Sequence, residues 1–383
     1  MRHIRILGLA VASALAAAAP ATAQVQATSM SAVSSGVDAP SQFSQFTPRP
    51  SRKGTLDYDV WDKLLKEMVF YSGPSLRKSA PRPAYYTGTR IAHGHTSPFR
   101  LEGNKVVFEG MEEEFGEVID LYVGDLVDIA NRIDLAAFPR NEQLAFWLNL
   151  HNLLAIKAIK DEYPMSRPSA SRGPDGLQFH DSKWITIRGV PLSLRDIREN
   201  IVYANWENPN VIYGFFYGDI GGPSIQRAAF TSKNVSGLLK FIGEEYANSM
   251  RGYHSANETA RVSQLYKDAA PWFFPNFEID VKAHLRTLQR PEIQKDMRQT
   301  SGPIRLIAYD KAIVDLTKGQ PDWKPYSQVQ TDGSLIVNPL MARAMREQAE
   351  KFQELRQRGM TGTVVIEDLE TTDPEDRGGD EVE

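Results

Sequence analysis

The chain has 383 residues, of which 42% are hydrophobic, a formal net charge of −4 and no cysteine. The lack of cysteine excludes disulfides, thiolate nucleophiles, thiolate metal sites and a lipid-anchored N-terminal cysteine. The negative charge argues against a nucleic-acid partner, and a chain of this length can bury a full core without covalent cross-links.

Residues 1–23 have the pattern of a secretory signal peptide. A short basic start precedes an apolar run from Ile6 to Ala19, and Ala21-Thr22-Ala23 has the A-x-A form of a cleavage site. The run is shorter than the ~20 residues that a membrane-spanning helix needs. We therefore expect cleavage after Ala23, no membrane span in the mature chain, and a soluble periplasmic or secreted protein.

Composition divides the rest of the chain into three regions. Residues 24–53 are rich in Ser, Ala, Gln and Pro without periodicity, which predicts a disordered linker. Residues 361–383 predict an acidic, disordered tail. Residues 54–360 between them predict a single large globular domain.

Hydrophobic periodicity predicts the elements of this domain in chain order. Helices are predicted at 61–68, 115–126, 140–159, 193–204, 235–246, 279–288 and 338–358, a hairpin at 99–108, and strands at 184–188, 211–217, 261–266 and 304–309. The segment Ser193-Leu194-Arg195-Asp196, at the start of the predicted helix 193–204, resembles a capping box. Helices and short strands mix without a regular βαβ repeat, so we predict an α+β fold around one core.

The helix at 140–159 is apolar on almost every face, yet Asn149 and Asn152 lie three residues apart on one side of it. A buried amide without a partner costs about 1–3 kcal/mol. The two asparagines must therefore hold a neighbouring segment through hydrogen bonds, or face a ligand cavity. His151 beside them is either an acid or base near neutral pH or a packing residue.

The segment Ala-Phe-Trp-Leu-Asn-Leu-His-Asn at 145–152 resembles the hallmark helix of the domain-of-unknown-function 547 family, approximately A-F-W-I-N-L-Y-N. The resemblance continues through Gly189 and the S-L-x-D-I pattern at 193–197, and covers about residues 140–275. Flanking segments resemble those of exported proteobacterial members. The family has no settled activity, so the resemblance implies no particular reaction.

Two departures from the family pattern bear on chemistry. Members often carry Glu-His after S-L-x-D-I, where this chain has Arg198-Glu199. They also often carry a C-x-x-x-x-C-P pattern, whose cysteine positions fall here on Tyr217 and Gly222. Either the cysteine pair is dispensable, or this chain is a binder without catalytic activity.

The glycine-rich turn at 218–224 is a further candidate, because its backbone N–H groups could contact an anion beside Asp219 and Ser224. The alternative is a turn that merely closes a strand. Ser224 does not lie in G-x-S-x-G, so a hydrolase elbow is not predicted. His93 and His95 could hold a metal only with a third ligand, and we predict no metal and no cofactor.

We therefore predict an exported protein of unknown molecular function that binds a small molecule, a glycan or an envelope protein without catalysis. The candidate ligand site comprises Asn149, His151, Asn152, Asp219 and Ser224. The alternative is a cysteine-independent envelope hydrolase or transferase that uses the same residues. The sequence assigns no catalytic residue, and it leaves open whether the protein is an enzyme.

Overall fold

A computed structural model describes residues 41–82, 94–320 and 339–360. All of these described residues belong to one compact unit. The predicted signal peptide at 1–23, the acidic tail at 361–383 and His93 lie outside the described residues.

The described elements are mostly helices, with short strands between them. The helices are α1 (Asp59–Met68), α2 (Met111–Arg132), α3 (Arg140–Asp161), α4 (Val235–Ala247), α5 (Gln264–Asp268), α6 (Ala270–Phe273), α7 (Phe277–Leu288), α8 (Pro291–Arg298) and α9 (Pro339–Gln357). The strands are β1 (Val69–Phe70), β2 (Lys105–Val106), β3 (Lys183–Ile187), β4 (Val190–Ser193), β5 (Tyr253–Ala256), β6 (Thr259–Val262) and β7 (Arg305–Leu306). Turns of 3₁₀-helix occur at Ser41–Phe46, Leu135–Ala137, Pro168–Ala170 and Pro209–Gly214, and a π-helix at Asp196–Tyr203.

The strands of the described regions form three small sheets. β1 pairs with β2 and β3 with β4, both antiparallel, while β5, β6 and β7 form a mixed sheet in which β6 and β7 run parallel. Small sheets among many helices confirm the predicted α+β class.

Helix α3 lies at the centre of the core. Every residue from Glu142 to Lys160 except Lys157 is buried, and α2 packs along this helix. Trp147 meets the edge of Phe46 with ring centroids 5.3 Å apart. Phe46 belongs to the segment 24–53, for which we expected a disordered linker, and the structure differs from that expectation at residues 41–46. Their two phenylalanines are buried against the core.

The local patterns located most helices correctly, including α1, α2, α4 and α7. The capping box is also confirmed, because the Asp196 backbone N–H donates to Ser193 Oγ at 3.0 Å and the Ser193 N–H donates to Asp196 Oδ2 at 2.8 Å. The helix that follows is a π-helix over much of its length.

The predicted hairpin at 99–108 is wrong. Residues 105–106 pair with Val69–Phe70 instead of with residues 99–102, which form turns. The physical reason is the buried Lys105 ammonium, which donates to the carbonyls of Glu102 at 2.6 Å and Gly103 at 2.5 Å. These carbonyls therefore need no partner strand.

The predicted strand at 211–217 is also wrong, although the segment is almost wholly buried. Asn208 Oδ1 accepts from the Asn210 N–H at 3.0 Å and caps a 3₁₀-helix that runs to Gly214. The extended residues after it find hydrogen-bond partners on α3 instead of a neighbouring strand. The apolar, β-favouring composition of residues 211–217 therefore indicates burial but not the formation of a strand.

Candidate functional site

The side-chain amides of the two asparagines of α3 form hydrogen bonds with backbone groups. Asn149 Nδ2 donates to the Phe230 carbonyl at 2.7 Å, and its Oδ1 accepts from the Phe230 N–H at 2.9 Å. Asn152 Nδ2 donates to the Gly214 carbonyl at 2.9 Å, and its Oδ1 accepts from the Phe216 N–H at 2.8 Å. The void beside them measures about 10 Å³, which is too small for a ligand. This geometry favours the structural alternative.

His151 is a packing residue with one definite tautomer. Its Nδ1 lies 3.1 Å from Asn152 Oδ1, an oxygen that can only accept, so Nδ1 carries the proton and Nε2 does not. Burial, together with the nearby Arg198 charge, lowers the pKa of His151 to about 3. The neutral ring meets Phe215 edge-on with centroids 4.8 Å apart.

Asp219 lies in a different cluster, together with His180 and with Ser169, which no sequence pattern indicated. The Ser169 hydroxyl donates to the Asp219 carboxyl group and lies 3.2 Å from His180 Nε2. Burial raises the pKa of Asp219 to about 8, although the Ser169 hydrogen bonds act in the opposite direction. Burial also lowers the pKa of His180. Burial thus favours the uncharged form of both groups.

This contact between serine, histidine and aspartate is not a catalytic triad. In a triad the carboxylate orients the histidine through its second ring nitrogen. Here Asp219 contacts the serine instead, and His180 Nδ1 is buried without a hydrogen-bond partner among the described residues. The aspartate therefore competes with His180 for the Ser169 hydroxyl.

The positions that depart from the family pattern are neighbours in space. The Arg198 guanidinium lies over the Tyr217 ring at 4.9 Å from its centroid, and Arg198 Nη2 pairs with Glu199 Oε1 at 2.8 Å. A Cβ atom at Gly222 would lie 3.3 Å from Tyr217 Cβ. A cation–π stack and an ion pair thus occupy the positions where members often carry cysteine, glutamate and histidine.

Ser224 faces a third environment. Its hydroxyl donates to Glu245 Oε2 at 2.9 Å and accepts from Arg251 Nη2 at 3.1 Å, and Arg251 pairs with Glu245 at 2.7 Å. Ser224 also lines an open pocket of about 400 Å³. Aromatic and polar side chains of this pocket include Tyr71, Ser75, Phe241, Glu244, Thr287 and Gln289.

One pocket residue has unused hydrogen-bonding capacity. Gln289 is 5% exposed, and its Oε1 has no hydrogen-bond partner in the part of the chain that the structure describes. An unsatisfied buried acceptor costs about 1–3 kcal/mol.

The structure thus separates the predicted site residues into three places. Asn149, His151 and Asn152 are sealed in the core, Asp219 joins Ser169 and His180, and Ser224 lines the open pocket. No motif identifies the pocket residues, because they come from segments far apart in the sequence.

Residues 41–82, 94–320 and 339–360 contain no group of three or more His, Cys, Asp or Glu side chains that could hold a metal ion. His95 Nε2 instead contacts the Ile313 carbonyl at 2.8 Å. Within the same ranges, no helix has the length and apolarity required to cross a membrane.

Comparison with known proteins gives one match. No curated protein and no solved structure matches the chain. Residues 135–246 match the family described as "Protein of unknown function, DUF547", a region that runs from the 3₁₀-helix before α3 into α4 and contains the asparagines, Asp219 and Ser224. The predicted resemblance to DUF547 is confirmed over these residues.

Proposed function

We propose that the chain is an exported binding protein without catalytic activity, which holds a hydroxyl-rich small ligand such as a glycan in the pocket beside Ser224. The observation that carries this proposal is the size of that pocket. Its volume of about 400 Å³ is in the range of small-molecule sites, whereas the void beside the α3 asparagines measures about 10 Å³.

The lining of the pocket matches the chemistry of a saccharide. Tyr71 and Phe241 offer aromatic surface for the C–H faces of a sugar ring. Glu244 offers acceptor oxygens for its hydroxyl groups, and Arg290 offers donors. Aromatic surface with a few polar groups is the usual composition of a small-molecule site.

The lack of catalysis is inferred from the DUF547-like core. The chain has no thiol, and Arg198 forms an ion pair with Glu199 and a cation–π stack with Tyr217. Engaged in this way, these three side chains are poorly placed to activate a nucleophile.

Export is inferred from the N-terminal sequence pattern alone. A periplasmic or secreted location would place glycans and envelope proteins within reach. Mass spectrometry of the protein recovered from outside the cytoplasm should find an N-terminus at Gln24. An intact Met1 terminus would contradict the export proposal.

Calorimetric titration tests the binding proposal, with maltotriose, cellotriose and chitotriose as probes. We expect at least one probe to bind, and Glu244→Gln to weaken it about fivefold or more, because hydrogen bonds to a charged group are the stronger kind. Glu117→Gln on the exposed face of α2 is the matched control and should bind as wild type does. If both variants bound the probe with equal affinity, the pocket beside Ser224 would not be the binding site.

A cysteine-independent hydrolase or transferase is the second candidate, and one observation favours it. Ser169 Oγ lies 3.2 Å from His180 Nε2, which is close enough for general-base activation. A fluorophosphonate probe decides between the two. We expect no labelling, because Asp219 competes for the hydroxyl. Labelling that disappears in Ser169→Ala would establish the hydrolase instead.

A further inference from the structure

The C-terminal helix α9 holds one short segment of the chain by its carbonyl groups. Side chains of α9 donate to two carbonyls within residues 71–76, Gln348 to Tyr71 and Lys351 to Gly73 at 3.3 Å, and Arg358, the residue after α9, donates to the Leu76 carbonyl at 3.4 Å. A carbonyl without a partner must find water or another donor. The position of residues 71–76 therefore depends on α9.

The same segment forms one wall of the 400 Å³ pocket. Tyr71, Gly73, Pro74 and Ser75 all line it. At Gly73 the φ angle is +70°, and a Cβ atom there would lie 3.0 Å from the Phe352 ring of α9. Residues 71–76 thus lie between the helix and the pocket, in close contact with both.

Charged groups make several of the contacts that dock α9, beside the buried apolar side chains of Leu340 and Leu355. Arg100 makes two hydrogen bonds to Glu347, from Nε at 2.9 Å and from Nη2 at 2.8 Å. The Lys351 ammonium, on a residue that is 3% exposed, donates to the Leu101 carbonyl at 2.6 Å. Water can replace such contacts when the surfaces separate, whereas it cannot replace apolar burial. An element held in this way belongs to the less stable part of a fold.

We propose that α9 and the pocket are coupled: docked α9 fixes residues 71–76 in the conformation that forms the pocket, and a bound ligand in turn stabilises the docked helix. Such coupling is reciprocal by thermodynamic necessity. The ligand half of this inference rests on the proposed function, whereas the dependence of residues 71–76 on α9 does not.

Hydrogen exchange of the full chain tests the coupling. In the docked state the Ser72 N–H donates to Asn104 Oδ1 at 3.1 Å and the Arg77 N–H to Ser75 Oγ at 2.9 Å, so these two amides within residues 71–77 should exchange slowly. Lys351→Met should raise exchange there about fivefold or more and weaken trisaccharide binding by a similar factor. Arg346→Gln also removes one positive charge from α9, but from an exposed position, and should change neither quantity. Bound trisaccharide should slow exchange in residues 339–358 of the wild type.

Two results would overturn the coupling: faster exchange in α9 with residues 71–77 unchanged, or unchanged exchange with unchanged affinity. If Lys351→Met fails to fold, Gln348→Ala takes its place in the experiment. This variant removes the donor to the Tyr71 carbonyl, and Gln348 is only half-buried. If no trisaccharide binds the wild type, the proposed function fails, while exchange in the ligand-free variants still decides whether α9 holds residues 71–76.

Discussion

The asparagine face of α3 and the pocket beside Ser224 differ in how far the hydrogen-bonding capacity of their polar side chains is used. Asn149 and Asn152 are sealed, and each amide donates to one backbone carbonyl and accepts from one backbone N–H. Gln289 lines an open volume of about 400 Å³, and its Oε1 has no hydrogen-bond partner among the described residues. The difference teaches that a buried polar motif can serve the construction of the fold. A binding site is better sought where polar capacity remains unused at an opening.

The largest predicted effect is a loss of stability on substitution of an asparagine in the sealed core around α3. Asn149→Ala should lower the free energy of unfolding by about 2–5 kcal/mol, because it leaves both the N–H and the carbonyl of Phe230 buried without partners. Urea denaturation measures this loss. Asn205→Ala is the control, since it removes a part-buried side-chain hydrogen bond from Asn205 Nδ2 to the Ile201 carbonyl. A loss no greater than that of the control would show that the α3 amides are not structural.

The next effect concerns pH and the Ser169–His180–Asp219 cluster. The pKa of Asp219 is raised from 3.8 to about 8 by burial, so the folded state holds this proton more tightly than the unfolded state. The resulting stability is complete below pH 3.8 and is lost as pH rises to 8, at no more than about 1.4 kcal/mol per pH unit.

Asp219→Asn should remove this dependence. The difference in unfolding free energy between wild type and variant should therefore shift toward the variant as pH rises from 4 to 8. Thermal or urea unfolding of both proteins across that range supplies the measurement. Parallel pH profiles would show that the Asp219 carboxyl does not retain its proton in the folded protein.

Sequence patterns could locate the helices because their signal is local. The spacing of Trp61, Leu64, Leu65 and Met68 alone places α1. The partners of α3 are remote: Asn149 contacts a residue 81 positions away, and Asn152 one 62 positions away. The Ser169–Asp219 contact spans 50 positions. Periodicity carries no information on such pairings, and for this reason the role of the asparagines and the pocket emerged only from the structure.

A smaller effect should follow from Gly73→Ala on the pocket side. The left-handed backbone at φ +70° costs a residue with a Cβ atom about 1–2 kcal/mol, and the added methyl would press on Phe352. We expect a modest fall in the melting temperature together with weaker trisaccharide binding. Gly176→Ala also has a positive φ but has open space around it, and is the matched control. If both variants bound the trisaccharide equally well, the conformation of residues 71–76 would have no effect on binding in the pocket.

The smallest predicted effect on stability completes the contrast. Glu244→Gln should leave the free energy of unfolding within about 0.5 kcal/mol of wild type, because this side chain is 44% exposed and its ion pair with Lys240 is long at 3.9 Å. The same substitution is expected to weaken ligand binding. A pocket residue should thus change affinity and leave stability nearly unchanged, whereas Asn149 should change stability and leave the affinity of the folded fraction unchanged. Urea denaturation and calorimetry on both variants give the four values, and if the substitutions changed both quantities in proportion, the two regions would act as one cooperative site.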